Sequence, residues 1–213
     1  KLSRLSDEIL EMGNLCGQAI MKTCQILASV EVREAATKEI GRIEKEIDDK
    51  EHNIEALCMQ LLLKQQPVGT DLRKISAALK MVTDMERIGD QASDIAELSL
   101  QLGDVSDIAE LSLIQKMANE TMMMVVRGTE AYVTKDLEVA HNVIDNDDVV
   151  DDLFDQIKMA LVKRIQENHV KSFEAADLLM VAKYFERIGD HATNIAEWVI
   201  YSITGKHVDE AEN

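Results

Sequence analysis

Apolar residues recur at three- and four-residue intervals along most of this chain, the spacing of one buried stripe per helix. The pattern predicts six long helices. The first covers about Leu5 to Leu27 and the second about Arg33 to Lys64, with a weak break at Ser29-Val30-Glu31. "QQPVGT" holds the only proline and is the clearest turn in the chain. Thr70 is placed to cap a third helix, with Asp71 in its first turn, and this helix runs to about Leu102. Gly103-Asp104 breaks the pattern. A fourth helix is expected from about Ser106 to Val133, and Asp136 is positioned to cap a fifth that runs to about Glu167. "NHVKS" turns the chain. Ser172 is the expected cap of a sixth helix, which stops at Thr204-Gly205, and "KHVDEAEN" reads as a polar tail.

One phrase is written twice. "ERIGDQASDIAE" spans Glu86–Glu97 and "ERIGDHATNIAE" spans Glu186–Glu197; nine of twelve positions match at an offset of 100 residues. A repeat of this kind, on the third helix of each set of three, implies duplication of a unit. The expected fold is all-α: two three-helix bundles in tandem, residues 1–104 and 105–213. A shorter echo, "DIAELSL" at Asp94–Leu100 and Asp107–Leu113, spans the junction and reads as coincidence between two amphipathic segments.

Composition narrows the functions available. Aromatic residues make up 3%, so aliphatic residues and methionine must fill the interior. The formal net charge is −17, with 40 acidic against 23 basic residues and no basic stripe. Nucleic acid and anionic membranes both call for cations, so neither is an expected partner. Cys16, Cys24 and Cys58 sit within apolar helical patterns and read as small buried hydrophobes in a reducing compartment. No secretory leader opens the sequence and no run of about 18 apolar residues occurs. We therefore expect a cytoplasmic protein without direct membrane insertion.

The acids have a direction. At about 100° per residue, Glu86, Asp90, Asp94 and Glu97 fall within an arc of roughly 80°, with Met81, Met85, Ile88, Ala92 and Ile95 opposite. The second copy repeats this with Glu186, Asp190, Asn194 and Glu197 against Val181, Phe185, Ile188, Ala192 and Ile195. A charge run on a helix is usually a solvated face. Here like charges four apart oppose the helix by about 0.2–0.5 kcal/mol per pair. Gly89 and Gly189 each cost about 1 kcal/mol against alanine in a helix interior. Glycine beside the acids, twice, suggests a neighbouring helix approaching closely.

The preceding helices carry matching acids: Glu44 and Asp48 in "EKEID", extended by Glu51 and Glu55, and Asp147 and Asp151 in "DDVVD". Helices joined by a short turn run antiparallel, so residues equidistant from the turn lie level. Glu44 with Asp90 and Asp48 with Glu86 share the midpoint 67, at the proline turn. Asp147 with Asp190 and Asp151 with Glu186 share the midpoint 168.5. Four carboxylates therefore meet at one height in each half, and such a group repels unless a cation sits among it. Oxygen-only ligands suit Mg²⁺, Mn²⁺ or iron; Ca²⁺ is less favoured, and zinc is disfavoured because no Cys/His cluster accompanies the acids.

These motifs resemble the PhoU family of phosphate-signalling regulators. The resemblance rests on the duplicated "E-R-I-G-D-x-A-x-x-I-A-E", on "QQPVGTDLR" at Gln65–Arg73 and on "NIAEWVIYSITG" at Asn194–Gly205, and it covers essentially the whole chain. It implies two similar three-helix bundles and multinuclear metal sites on paired acids: Glu44, Asp48, Glu86 and Asp90 in one, Asp147, Asp151, Glu186 and Asp190 in the other. It further implies negative control of phosphate uptake and phosphate-starvation signalling. That control would run through a phosphate ABC transporter's ATPase subunit and a sensor histidine kinase, with a homodimer as the expected assembly. The two phrases differ at Asp94 against Asn194 and at Gln91 against His191.

No nucleophile–base pair appears, so no enzyme is expected. His52, His141, His169, His191 and His207 read as solvated or satisfied. The enzyme alternative, a di-metal carboxylate oxidase, needs inward-facing Glu-x-x-His on two helices. Only Glu138 with His141 fits, once. A metal-free acidic adaptor that docks a basic partner surface is the main alternative reading.

Overall fold

The computed structural model describes residues 2–167 and 171–208. It contains six helices: α1 (Leu2–Ala28), α2 (Arg33–Gln65), α3 (Gly69–Ser99), α4 (Leu111–Thr134), α5 (Leu137–Glu167) and α6 (Ser172–Thr204). Each has the apolar stripe that the spacing predicts, and Met81, Met85, Ile88, Ala92 and Ile95 are all fully buried, as are Val181, Phe185, Ile188, Ala192 and Ile195.

The helices stack in two layers. α2, α3, α6 and α5 lie side by side, with the α3–α6 contact the most extensive in the molecule. α1 and α4 cover one face of that layer, α1 against α2 and α3, α4 against α5 and α6. They also pack on each other, where Gly13 of α1 faces Thr129 of α4 and Gly17 faces Val126. Among the described residues no helix lies over the opposite face of the four-helix layer. The buried side chains form one continuous core through both halves.

Several helix ends differ from expectation. The residue preceding α3 is Val68, with no side-chain cap; Gly69 takes a φ of 57° to start the helix, and Thr70 Oγ1 instead accepts from Arg73 Nη2 at 3.2 Å. The cap position of α6 is Lys171, one residue before Ser172. Asp136 does cap α5, accepting from the Val139 amide at 3.0 Å, and Gly205 (φ 78°) ends α6 with its amide on Tyr201 O at 2.8 Å. The turn expected at "NHVKS" and the last residues of the tail lie largely outside the described residues. His207, expected as part of a polar tail, stacks on Tyr201.

The fourth helix starts five residues later than expected. Val105 and Ile108 insert into the core, and the chain crosses by turns until Leu111. Buried Arg33, 5% exposed, fastens this crossing by donating to the carbonyls of Ile26, Leu102 and Gly103. The second "DIAELSL" is thus half turn and half helix, unlike the first.

Candidate metal centre

The register of each hairpin follows from its glycine. A Cβ on Gly89 would stand 3.0 Å from Ile47 Cδ1, and one on Gly189 3.2 Å from Val150 Cγ1. α2 with α3, and α5 with α6, therefore pack so closely there that a methyl group would have to shift its neighbour. Ile47 is flanked by Glu44 and Asp48, and Gly89 by Glu86 and Asp90, so close backbone approach brings the acids level. The second half repeats this with Val150 between Asp147 and Asp151.

All eight acids lie on the side of the layer that α1 and α4 leave open. In the first half Glu44, Asp48, Glu86 and Asp90 are half-buried. Burial raises the Glu44 carboxyl, and Asp48, Asp90 and Glu86 push it further up. Glu86 is raised by burial and then by Asp90 and Asp48, against Arg87 and His191. The stripe extends along both helices: Glu51 is raised by burial and by Glu86 and Glu55, and Asp94 by burial and by Asp90 and Glu97.

In the second half Asp147 and Glu186 are half-buried while Asp151 and Asp190 stand at the rim. Asp147 is raised to about 6, first by burial and then by Asp151 and Asp190. A hydrogen bond from the Thr193 hydroxyl across the α5–α6 groove offsets part of this. Asp151 is raised by partial desolvation and by Glu186, and Asp190 by partial desolvation, Glu186 and Asp151.

The four acids of each half are thus electrostatic neighbours across two helices. Basic side chains within the stripe compensate in part. Arg87 approaches Glu86 at 3.5 Å and Asp90 at 3.1 Å, and Lys183 meets Glu186. Among the described residues no three His, Cys, Asp or Glu side chains converge tightly enough to hold one ion as they stand. The residues nevertheless fit a hard cation chemically. The donors are all oxygen, and Asp147 Oδ1 is buried among them.

Other candidates fall elsewhere. Glu138 and His141 are both exposed on α5, which does not match the inward geometry of a di-metal oxidase. Cys16 and Cys58 are buried, with thiols pushed up to about 12 by desolvation, and Cys24 is half-buried.

Sequence reasoning passed over Asp84. It sits on α3 outside the repeated phrase and accepts from His191 Nδ1 at 2.9 Å and Asn194 Nδ2 at 3.1 Å, tying α3 to α6. Asn194, which the helical wheel placed on the acid stripe, is therefore engaged in the seam between the halves. The signal was the substitution pattern itself: Asn194 and His191 replace Asp94 and Gln91, while Tyr184 stands where the first half has Asp84. Lys183 was missed for want of a counterpart, since Thr83 occupies its place in the first half.

Comparison with known proteins agrees with this architecture. The PhoU domain family model matches twice, at residues 9–99 and 114–199. A "Phosphate-specific transport system accessory protein PhoU homolog" of Clostridium acetobutylicum is 36% identical, over 98% of this chain and 94% of that protein. A homologue of the same description from Synechocystis is 35% identical, over 96% and 90%. The crystal structure of PhoU from Pseudomonas aeruginosa superposes with a TM-score of 0.87 at 28% identity, covering 96% of this chain and 98% of that one. With the duplicated phrase, the six-helix fold and a domain match over both halves, this chain belongs to the PhoU family.

Proposed function

We propose that this chain is a negative regulator of phosphate uptake and phosphate-starvation signalling, acting through protein contact with its acid patches loaded with metal. The observation that supports this reading is that in each half four carboxylates on two adjacent helices are electrostatic neighbours that push one another up. The relatives' names tie the family to phosphate-specific transport as an accessory. The partners proposed are the ATPase subunit of a phosphate ABC transporter and a sensor histidine kinase, with a homodimer as the assembly. No helix of the described residues is long and apolar enough to cross a membrane. The proposal puts the protein in the cytoplasm, reaching the membrane through its partners.

Glu44, Asp48, Glu86 and Asp90 would hold ions in the first half, and Asp147, Asp151, Glu186 and Asp190 in the second. Mg²⁺, Mn²⁺ or iron fits the oxygen donors, in one or more ions per site. A bound cation would supply charge neutralisation, turning a strongly negative face into one that an acidic surface can approach. Arg87 and Lys183 already perform part of that neutralisation, which favours a second reading: a metal-free acidic adaptor that docks a basic surface. No turnover of its own is proposed for either.

The test is capture of the purified ATPase subunit and, separately, the kinase by the immobilised chain, with Mn²⁺ and with chelator. Capture that requires the ion supports the metal reading. Capture unaffected by chelator, on protein that elemental analysis finds ion-free, supports the adaptor. Capture of neither partner contradicts the regulatory proposal.

A further inference from the structure

We propose that the apolar strip beside the tip of the α2–α3 hairpin, edged by Glu51 and Glu55, is a docking surface for a cationic amphipathic helix of a partner protein. The inference deepens the protein-contact reading above and holds with or without ions at the acid groups.

The stripe of α2 that carries Glu44 and Asp48 continues at helical spacing through Glu51, Glu55, Met59 and Leu62. The stripe of α3 that carries Glu86 and Asp90 continues back toward the start of the helix through Thr83, Leu79, Ser76 and Leu72. Counted from the proline turn, Leu62 stands level with Leu72, and Glu55 with Leu79. The open face therefore changes toward this tip, from acids to apolar side chains. Met59 is 51% exposed and Leu72 43%, while Leu62 and Leu79 are half-buried against the core. Leu63 and Val68, at the tip itself, are more exposed still. A lone apolar residue on a surface calls for no explanation. Four of them on two level stripes form a patch, and such a patch marks a contact site.

The charge at its edge says what covers it. No Lys or Arg lies on either stripe, from Glu51 to Leu62 or from Leu72 to Thr83. Glu51 and Glu55 make no ion pair with Lys or Arg among the described residues, and Glu55 helps to raise the Glu51 carboxyl. A second copy in a twofold contact would set these acids against its own, and an anionic membrane would meet the same repulsion. A helix with apolar residues on one side and Lys or Arg along their border matches both parts of the strip. Glu51 to Leu62 spans about 16 Å of α2, or about three turns of such a helix.

The second half has the opposite edge. Phe154 and Lys158 stand where the first half has Glu51 and Glu55, and Lys183 stands where it has Thr83. Lys158 and Lys183 both lie over the Phe154 ring, at 5.4 and 5.3 Å. That cationic cover repels a basic helix, so each chain offers one such surface.

The experiment measures fluorescence anisotropy of labelled peptides of about 18 residues, long enough to form a helix on a surface. The first has leucines at helical spacing on one face and lysines elsewhere. The second has glutamate for each lysine, and the third has the composition of the first with its leucines scattered. In chelator, the full chain should bind the first peptide and neither of the others. Met59→Gln, Leu72→Gln and Glu55→Lys should each weaken binding by about tenfold, as for a residue central to a contact. Val162→Gln, at the place in the second half that matches Met59, should leave it unchanged. Thermal melts check that each variant folds. No binding of the first peptide, equal binding of the third, or undiminished binding by Met59→Gln and Leu72→Gln would overturn the inference. So would a dimer in sedimentation that Met59→Gln dissociates, because the strip would then be a self-contact. Capture of the ATPase subunit and the kinase is measured separately, so these failures leave the regulatory proposal standing.

Discussion

Asp147 is the residue where the cost of the acid patches is most concentrated. Its folded pKa of about 6 lies above the ordinary 3.8 because burial and two neighbouring carboxylates penalise its charge. A carboxyl raised on folding binds more protons in the native state, so its stabilising effect is fully present below about 3.8 and is lost as pH rises through 6. Glu44, Glu86, Asp151 and Asp190 are raised as well and act in the same direction. In chelator, the melting temperature should therefore be higher at pH 5 than at pH 7.5. With excess Mn²⁺ the trend should weaken or reverse, because protons then compete with the ion. Equal slopes in the two conditions would argue against ion binding at these groups. Glycines give a second residue-scale check. Gly41 has nothing within 4 Å of where a Cβ would stand, so Gly41→Ala should stabilise by up to about 1 kcal/mol through helix propensity. Gly13→Ala would put its Cβ 2.5 Å from Thr129 Oγ1, between α1 and α4, and should cost about 1–3 kcal/mol through overpacking. Denaturant melts of the two variants measure both.

At the scale of helices, the hairpins could be read in the sequence because two periodicities agreed. Apolar spacing set the buried face, and distance from the proline turn set the height, so Glu44–Asp90 and Asp48–Glu86 could be paired from residue numbers alone. Caps were less legible: Thr70 and Ser172 have the right chemistry, yet the cap positions fall on Val68 and Lys171, neither of which caps with its side chain. The crossing after α3 was hidden for a related reason, since Ile108 falls in the expected fourth helix but is buried, with Val105, in a crossing that Arg33 fastens. Asp84 with His191 joins helices 107 residues apart in sequence, and no local pattern reports such a pair. The acid stripe leads to a prediction at this scale. Asp90→Asn relieves repulsion from Glu86 and Asp94 but loses the 3.1 Å contact with Arg87. The two effects oppose each other at this half-buried position, so stability in chelator should shift by less than about 0.5 kcal/mol. Stabilisation by Mn²⁺ should fall, since an ion that binds only the folded state adds stability by mass action. Melting of the variant with and without Mn²⁺ checks this.

At the scale of the molecule, the two halves share one core. α3 packs on α6 and α1 on α4, burying the faces that separate bundles would expose to water. We infer that residues 1–104 and 105–213 are the duplicated units but unfold together. Calorimetry should show one transition whose van't Hoff and calorimetric enthalpies agree; two resolved transitions would show independent halves. The charge of −17 leads to a second expectation, no salt-sensitive binding to duplex DNA in a gel shift. The central claim is that the phrase is written twice because each half builds its own cation site from a level pair of acids on adjacent helices. The most direct test is elemental analysis of wild type, Asp90→Asn and Asp190→Asn, each purified without chelator and then loaded with Mn²⁺ and dialysed. The account predicts bound ion in wild type and a smaller, partial content in each single variant, because one site survives. Ion-free wild type, or equal content in all three proteins, would contradict it.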